Sequence, residues 1–375
     1  MSGQAVTMRG TGDGWARLDG RDNALNAIRL ALALLVVFGH SYVLGYGTTP
    51  PLPGIHDRAV DGFFVVSGFL IAASRARMPI GPFAWRRALR IYPGLWVCLV
   101  VTALVIAPAT AALTGEQWTL TDGASYIVAN ATALSPQWNI GGTLASLPYP
   151  TAWNGSLWTL TYELGCYAGV AVIFTATKRR VEVVGGVLVA CAALTVLNPP
   201  AMLVPAVRLA GFFAAGSLIY LLRDRLPCTA RLAVVAGAAA VAFYLLGERA
   251  FVALAPLPLA YSLLFLGATL RCRVGSRNDI SFGVYVYAFP LQQMLVAAGA
   301  AALPVSAFVA LCVAATTALA WPSWLLVERP TLRLARRQPT RASRYDTDAE
   351  LTVAADAGHV TLQPRKWLAT FGPGW

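Results

Sequence analysis

Ten stretches of about 20 mostly apolar residues, divided by charged or Pro/Gly-rich breaks, run through this chain, and that is the length a helix needs to cross the hydrocarbon of a bilayer. They lie at about 24–46, 58–75, 84–107, 156–177, 182–198, 202–222, 231–247, 250–270, 280–302 and 304–326. With 57% of 375 residues hydrophobic and 12% charged, an ordinary water-soluble enzyme is excluded. The first stretch does not read as a cleaved signal peptide, because it starts late, carries Arg29 and His40 inside its apolar run and precedes nine more such stretches. The pattern predicts an all-α, polytopic membrane helix bundle of about ten transmembrane helices.

The formal charge of +12 would suggest nucleic acid in a soluble protein, but here its distribution follows membrane topology. With the N-terminus cytoplasmic, the inner connections hold Arg75, Arg77, Arg86, Arg87 and Arg90, then Lys178, Arg179 and Arg180, then Arg223, Arg225 and Arg231, then Arg271, Arg273 and Arg277. The outer ones hold little beyond Arg58 and Arg249, and the long outer segment from about 108 to 155 has Glu116 and Asp122 with no Lys or Arg. Both termini are therefore expected on the cytoplasmic side, the lipid bilayer is the expected partner, and a nucleic-acid partner is not expected. That outer segment carries Trp118, Trp138 and Trp153 and suits a loop resting at the membrane interface. The organisation reads as a cytoplasmic segment over 1–21, a membrane domain over 22–335 and a mobile cytoplasmic tail over 336–375. The six cysteines lie in or at the ends of apolar stretches without paired spacing, and there are only three histidines, His40, His56 and His359, so no metal centre is expected.

An ionisable group inside a membrane costs about 2.5–3.5 kcal/mol on insertion scales, so each marks a site hypothesis. Arg29 and His40 in the first stretch are eleven positions apart. At 100° per residue they share one helix face, separated by roughly 16 Å along the axis, which is of the order of a pantetheine arm. Snorkelling of Arg29 to headgroups and a structural role for His40 are the alternative. Glu163, in SLWTLTYELGCY, is expected about as deep as His40, where a carboxylate would raise the basicity of the imidazole and fix its tautomer; a structural partner to an Arg or Tyr is the alternative. Asp61, in RAVDGFFVVSGFLIA, is a further group that would orient the histidine, whereas Ser67 with Gly62 and Gly68 reads as a close-packing surface. Arg86, Arg87 and Arg90 open the third stretch, with Arg87 and Arg90 on one face. Their guanidinium forks suit the phosphates of a coenzyme A, while charge alone favours an anchor for lipid phosphate. In the ninth stretch Asp279 or Ser281 caps the start, Pro290 breaks the middle, and Tyr285, Tyr287, Gln292 and Gln293 read as packing glue; Glu328 and Arg329 read as an ion-paired helix end.

Taken in order, Arg29 and His40, VDGFFVVSGFLI at 60–71, RRALRIYP at 86–93, SLWTLTYE at 156–163, DISFGVYVYAFP at 279–290 and VERP at 327–330 resemble the acyltransferase family 3 of integral-membrane acyltransferases, over about residues 22–335. The resemblance implies a ten-helix domain that transfers an acyl group, commonly acetyl, from cytoplasmic acyl-CoA to a hydroxyl of a saccharide or glycan acceptor, in the bacterial cytoplasmic (inner) membrane. It implies His40 as the catalytic base supported by Glu163 or Asp61, and Arg29, Arg87 and Arg90, with Arg86 beside them, as the donor-binding cations. Many relatives carry a histidine where this chain has Ala288, so that position cannot move a proton here. A covalent acyl-histidine relay is a variant of the mechanism. From another class, a transporter or flippase for a glycan or lipid-linked substrate is the rival, although the interrupted helices show no two-fold pattern.

Overall fold

The computed structural model describes residues 13–20, 23–134 and 137–336, so the predicted tail and most of the N-terminal segment lie outside the described residues. Twelve helices are used below: α1 (Leu25–Tyr46), α2 (Ile55–Arg77), α3 (Ile80–Thr114), α4 (Leu120–Asn130), α5 (Trp158–Ala176), α6 (Arg180–Val196), α7 (Ala201–Leu222), α8 (Ala230–Leu245), α9 (Glu248–Leu254), α10 (Pro256–Thr269), α11 (Ser281–Ala297) and α12 (Val305–Leu334). No strand occurs among the described residues. In lipid every backbone N–H and C=O must find its partner within the segment, and the helix is how a single segment achieves this.

Each of the ten apolar stretches coincides with a helix or helix pair, but the span count differs from the expectation. Among the described residues six helices, α1, α2, α3, α5, α7 and α12, are long and apolar enough to cross a membrane, and seven spans result if α9 and α10 count as one, bent by 67°. The break falls where Pro256 opens α10, since proline cannot continue the hydrogen-bond ladder and disfavours helical backbone at Ala255 before it. By contrast α6 and α11 stop at 17 residues and α8 at 16. Large apolar side chains such as Val189, Val234, Leu245 and Leu326 are exposed, as expected where lipid is the solvent.

The core is organised around α2, which packs against α1, α5 and α7. At its crossing with α7 two glycines face each other's helix: a Cβ on Gly68 would lie 2.0 Å from the Phe213 carbonyl oxygen, and one on Gly216 would lie 2.0 Å from that of Val65. Only glycine permits so close an approach. The Ser217 hydroxyl donates to the Gly68 carbonyl at 3.0 Å across the same seam. Thus Gly68 is a close-packing residue as expected, while Ser67 next to it turns the other way, into a cavity.

Helix α11 is buried from Ser281 through Gln293. Pro290 has no N–H to offer the Val286 carbonyl, which a regular helix would satisfy from that position. That carbonyl instead accepts from Asn154 Nδ2 at 2.8 Å and from the Cys98 thiol at 3.3 Å. The proline therefore draws the segment before α5 down into the mouth of the bundle, where Trp153, Asn154 and Ser156 are buried.

The segment expected as an outer loop is a folded cap with helical structure of its own. Helix α3 persists to Thr114 and α4 follows. The Glu116 carboxylate then accepts from the backbone N–H of Leu144 at 2.7 Å and of Ser146 at 2.8 Å. These bonds hold Leu144, fully buried, at φ 74°, a left-handed conformation that costs a non-glycine residue about 1–2 kcal/mol. Trp153 donates through Nε1 to Thr143 Oγ1 at 2.7 Å, so this indole serves the interior of the cap and not a lipid interface.

Candidate active site

Among the described residues two cavities in the bundle share part of their walls, and they are called inner and outer after the sides that the Lys/Arg distribution predicts. The inner one, about 90 Å³, is lined by Arg29 of α1, Arg87 and Arg90 of α3, Ser67 of α2, and Glu163 and Tyr167 of α5. The outer one, about 370 Å³, is lined by His40 of α1, His56 and Asp57 of α2, Trp138 and Tyr149 of the cap, and Trp158 at the head of α5. Val60 and Tyr285 line both. The shared helix face predicted for Arg29 and His40 thus delivers each to a different cavity, with one wall between them.

The inner cations are not equivalent. Asp279 accepts from Arg29 Nη1 at 2.5 Å and from Arg90 Nη2 at 2.8 Å, and Arg90 Nη1 also reaches Glu328 at 3.0 Å. Glu328 therefore serves Arg90 rather than the adjacent Arg329. The second Asp279 oxygen accepts from the Ser281 hydroxyl at 2.6 Å, which ties the start of α11 to the same knot. Arg87 makes no ion pair among the described residues, and its Nε is buried without a partner. Of the three, Arg87 alone has no carboxylate paired to it, so it is the one left to meet an incoming anion. Arg86, one position and 100° away on the helix, lines neither cavity.

Glu163 does not stand beside His40. It accepts a short hydrogen bond from the Tyr167 hydroxyl and one at 3.5 Å from Ser67, both within the inner cavity. The expected depth assumed that α5 begins at the membrane surface, whereas the entering segment plunges to Val286 first, so the helix and its carboxylate start deeper.

Asp61 is likewise not beside the histidine and lines neither cavity. Its fully buried carboxylate accepts from Arg208 Nε at 2.7 Å, and Arg58 Nη1 lies 3.3 Å from its second oxygen. A buried carboxylate requires a cation, and the two it has come from the fourth residue of α2 and from α7. Arg58 belongs to the helix rather than to an outer connection because α2 starts at Ile55, three residues earlier than the apolar run indicates.

His40 faces the outer cavity from beside the Phe289 ring, at 5.1 Å between centroids. Its Nδ1 is buried without a hydrogen-bond partner, so a reacting atom must approach from the Nε2 edge. The ring next to it is that of His56, with centroids 5.1 Å apart and planes tilted by 41°. The close approach depends on Gly39, where a Cβ would sit 2.8 Å from the His56 Cβ. Neither His56 nor Asp57 was singled out as a site residue from sequence. Their signal was present, since His56 is one of only three histidines, but it was placed before the second span instead of in its first turn.

The polar residues of α11 find partners in the interior, as expected of packing groups. Gln292 donates to the Val37 carbonyl and to Ser41, both at 2.8 Å, and Gln293 to the carbonyls of Tyr149 and Ala152. Tyr285 shares a 2.7 Å hydrogen bond with Thr159, which fixes it in the wall between the cavities. Ala288 is fully buried and lines neither cavity.

A multi-pass helical membrane protein with a guanidinium-bearing cavity set against a histidine-bearing one is the class that fold and site define. The family model described as "Acyltransferase domain" matches residues 22–325, and the chain belongs to this acyltransferase family. It is 28% identical over 296 residues to a protein named O-acetyl transferase from Shigella phage Sf6, covering 74% of this chain and 86% of that one. It is also 28% identical over 363 residues to Nodulation protein 10 of Rhizobium leguminosarum bv. viciae, covering 84% and 94% respectively. No solved structure matches.

Proposed function

We propose that this membrane acyltransferase moves an acyl group, acetyl in the first instance, from acyl-CoA to a hydroxyl of a saccharide or glycan acceptor. It would do so in the bacterial cytoplasmic membrane with both termini on the cytoplasmic side, the orientation favoured by the Lys/Arg distribution. The observation that carries the reading is the common wall: the cavity of Arg87 and the cavity of His40 meet at Val60 and Tyr285. The name of the phage relative supports acetyl as the group carried.

In this mechanism Arg87 grips a phosphate of the donor, while Arg29 and Arg90, paired with Asp279 and Glu328, shape the wall beside it. The thioester reaches the level of Val60 and Tyr285. The acceptor hydroxyl lies against His40, whose imidazole takes its proton as the oxygen attacks the thioester carbon. The C–O bond forms, the C–S bond breaks, and the proton held by His40 passes to the departing thiolate, so the base is regenerated in each cycle. Glu163, held by Tyr167 and Ser67, orders the inner cavity and has no part in orienting His40.

The test is transfer by purified protein in lipid nanodiscs, with radiolabelled acetyl-CoA and a panel of bacterial glycans and methyl pyranosides. Label moves to an acceptor with the wild type and does not with His40→Ala, whose folding and donor affinity match the wild type. Wild-type-like transfer by His40→Ala would overturn the mechanism.

A further inference from the structure

The mechanism above leaves His56 and Asp57 unused, although both face the outer cavity beside His40. His56 makes no hydrogen bond to His40, so it does not set the tautomer of the base. Its Nε2 stands 3.8 Å from Asp57 Oδ2, too far for a direct hydrogen bond. Asp57 does not close the gap, because Arg208 holds it from the other side, through Nη1 at 3.4 Å from Oδ1 and Nη2 at 2.7 Å from the backbone carbonyl. Donor and acceptor are thus fixed a short distance apart on a cavity wall. One hydroxyl about 2.8 Å from each atom would accept from His56 Nε2–H and donate to Asp57 Oδ2.

Resting on the acceptor reading given above, we propose that His56 and Asp57 bind a second hydroxyl of the acceptor, next to the one His40 deprotonates, so that the site selects a vicinal diol. The adjacent imidazoles, 5.1 Å apart, set the two hydroxyl positions side by side. Trp138, Trp158 and Tyr149 on the facing walls offer the apolar surfaces against which the C–H face of a pyranose ring packs. A cavity of about 370 Å³ has room for one such ring. His56 and Asp57 are thus specificity residues that contact substrate but do not move the transferred group.

The experiment uses the full-length protein in nanodiscs, acetyl-CoA, and methyl pyranosides of the gluco, galacto, manno and rhamno series with their monodeoxy analogues. For the pyranoside that the wild type acetylates, His56→Phe raises KM about tenfold, the size expected for loss of one hydrogen bond, and Asp57→Asn raises it likewise through loss of the charged acceptor, while kcat falls less than about threefold. The analogue lacking the neighbouring hydroxyl shows the same loss with the wild type and little further loss with His56→Phe, so the two changes do not add. His56→Gln, which can still donate, recovers part of the affinity, and thermal melting with acetyl-CoA binding verifies the fold of each variant. An unchanged KM in His56→Phe and Asp57→Asn, or fully additive losses, overturns the inference and leaves the acyltransferase reading intact. If the wild type neither binds nor acetylates any member of the panel, the saccharide reading fails and this inference with it.

Discussion

The seam between α2 and α7 provides a quantitative test of the packing, through Gly68→Ala. The added Cβ would lie 2.0 Å from the Phe213 carbonyl oxygen, where real Cβ atoms essentially never come within 3.0 Å. The obstacle is backbone, so no rotamer change relieves it, and the helices must part by about 1 Å at that point. A gap of 0.5–1 Å forfeits roughly a quarter to a half of each dispersion contact along the seam. The residues affected include Val65, Phe69 and Phe212, all fully buried. Overpacking costs typically 1–3 kcal/mol, and a backbone-to-backbone clash belongs at the upper end, so the predicted loss is about 3 kcal/mol, roughly a hundredfold in the folding equilibrium. Gly165→Ala on α5 is the control, since its Cβ meets nothing within 4 Å, and it should leave stability unchanged or raise it by up to about 1 kcal/mol. Tryptophan-fluorescence melting in detergent compares the two: Gly68→Ala melts several degrees below the wild type and Gly165→Ala does not. Equal melting temperatures for the two variants would refute the reasoning.

Two further outcomes concern charge. Arg87→Met should weaken acetyl-CoA binding at least about tenfold in calorimetry with little change in melting temperature, whereas Arg90→Met, which strands the buried Glu328, should lower stability by about 3 kcal/mol; the reverse assignment would contradict the division of labour among the inner arginines. Although burial alone would raise it, the Glu116 carboxyl is held below its usual range by the N–H groups of Ser146 and Leu144 and by the Ser146 and Thr114 hydroxyls. Its contribution to the cap is therefore present above the unfolded value of about 4.3 and is lost as pH falls through the lower folded value. Limited proteolysis within 137–157 should accelerate in that acid window for the wild type, and Glu116→Gln should be cleaved fast at neutral pH as well; equal cleavage of the two at neutral pH would contradict the clasp.

Much of this arrangement was legible from spacing. The eleven-residue interval from Arg29 to His40 indicates one helix face, and the structure distributes that face over two cavities. The pairing of Arg87 with Arg90 on one side of α3 likewise follows from helical period, and both line the inner cavity. What was not legible depends on contacts between distant segments. Which arginine stays free is decided by Asp279 and Glu328, which lie 189 and 238 positions from Arg90. The depth of Glu163 is set by Asn154 reaching the carbonyl that Pro290 releases, so counting from an apparent helix end misplaces it. Asp61 is expected from sequence to orient His40, but Arg208, from another span, and Arg58 hold it elsewhere. His56 and Asp57 were hidden by a boundary drawn at position 58, while the helix begins at Ile55 and includes them in its first turn.

In the two-cavity mechanism the acyl group crosses the wall at Val60 and Tyr285. Val60→Phe adds a ring at that wall and leaves Arg87 and His40 themselves in place. With folding verified by melting and acetyl-CoA affinity measured on the same sample, donor binding should persist while acetyl transfer to an acceptor used by the wild type falls at least about a hundredfold. Undiminished transfer with the ring in place would show that the group takes another route, and would contradict the two-cavity mechanism.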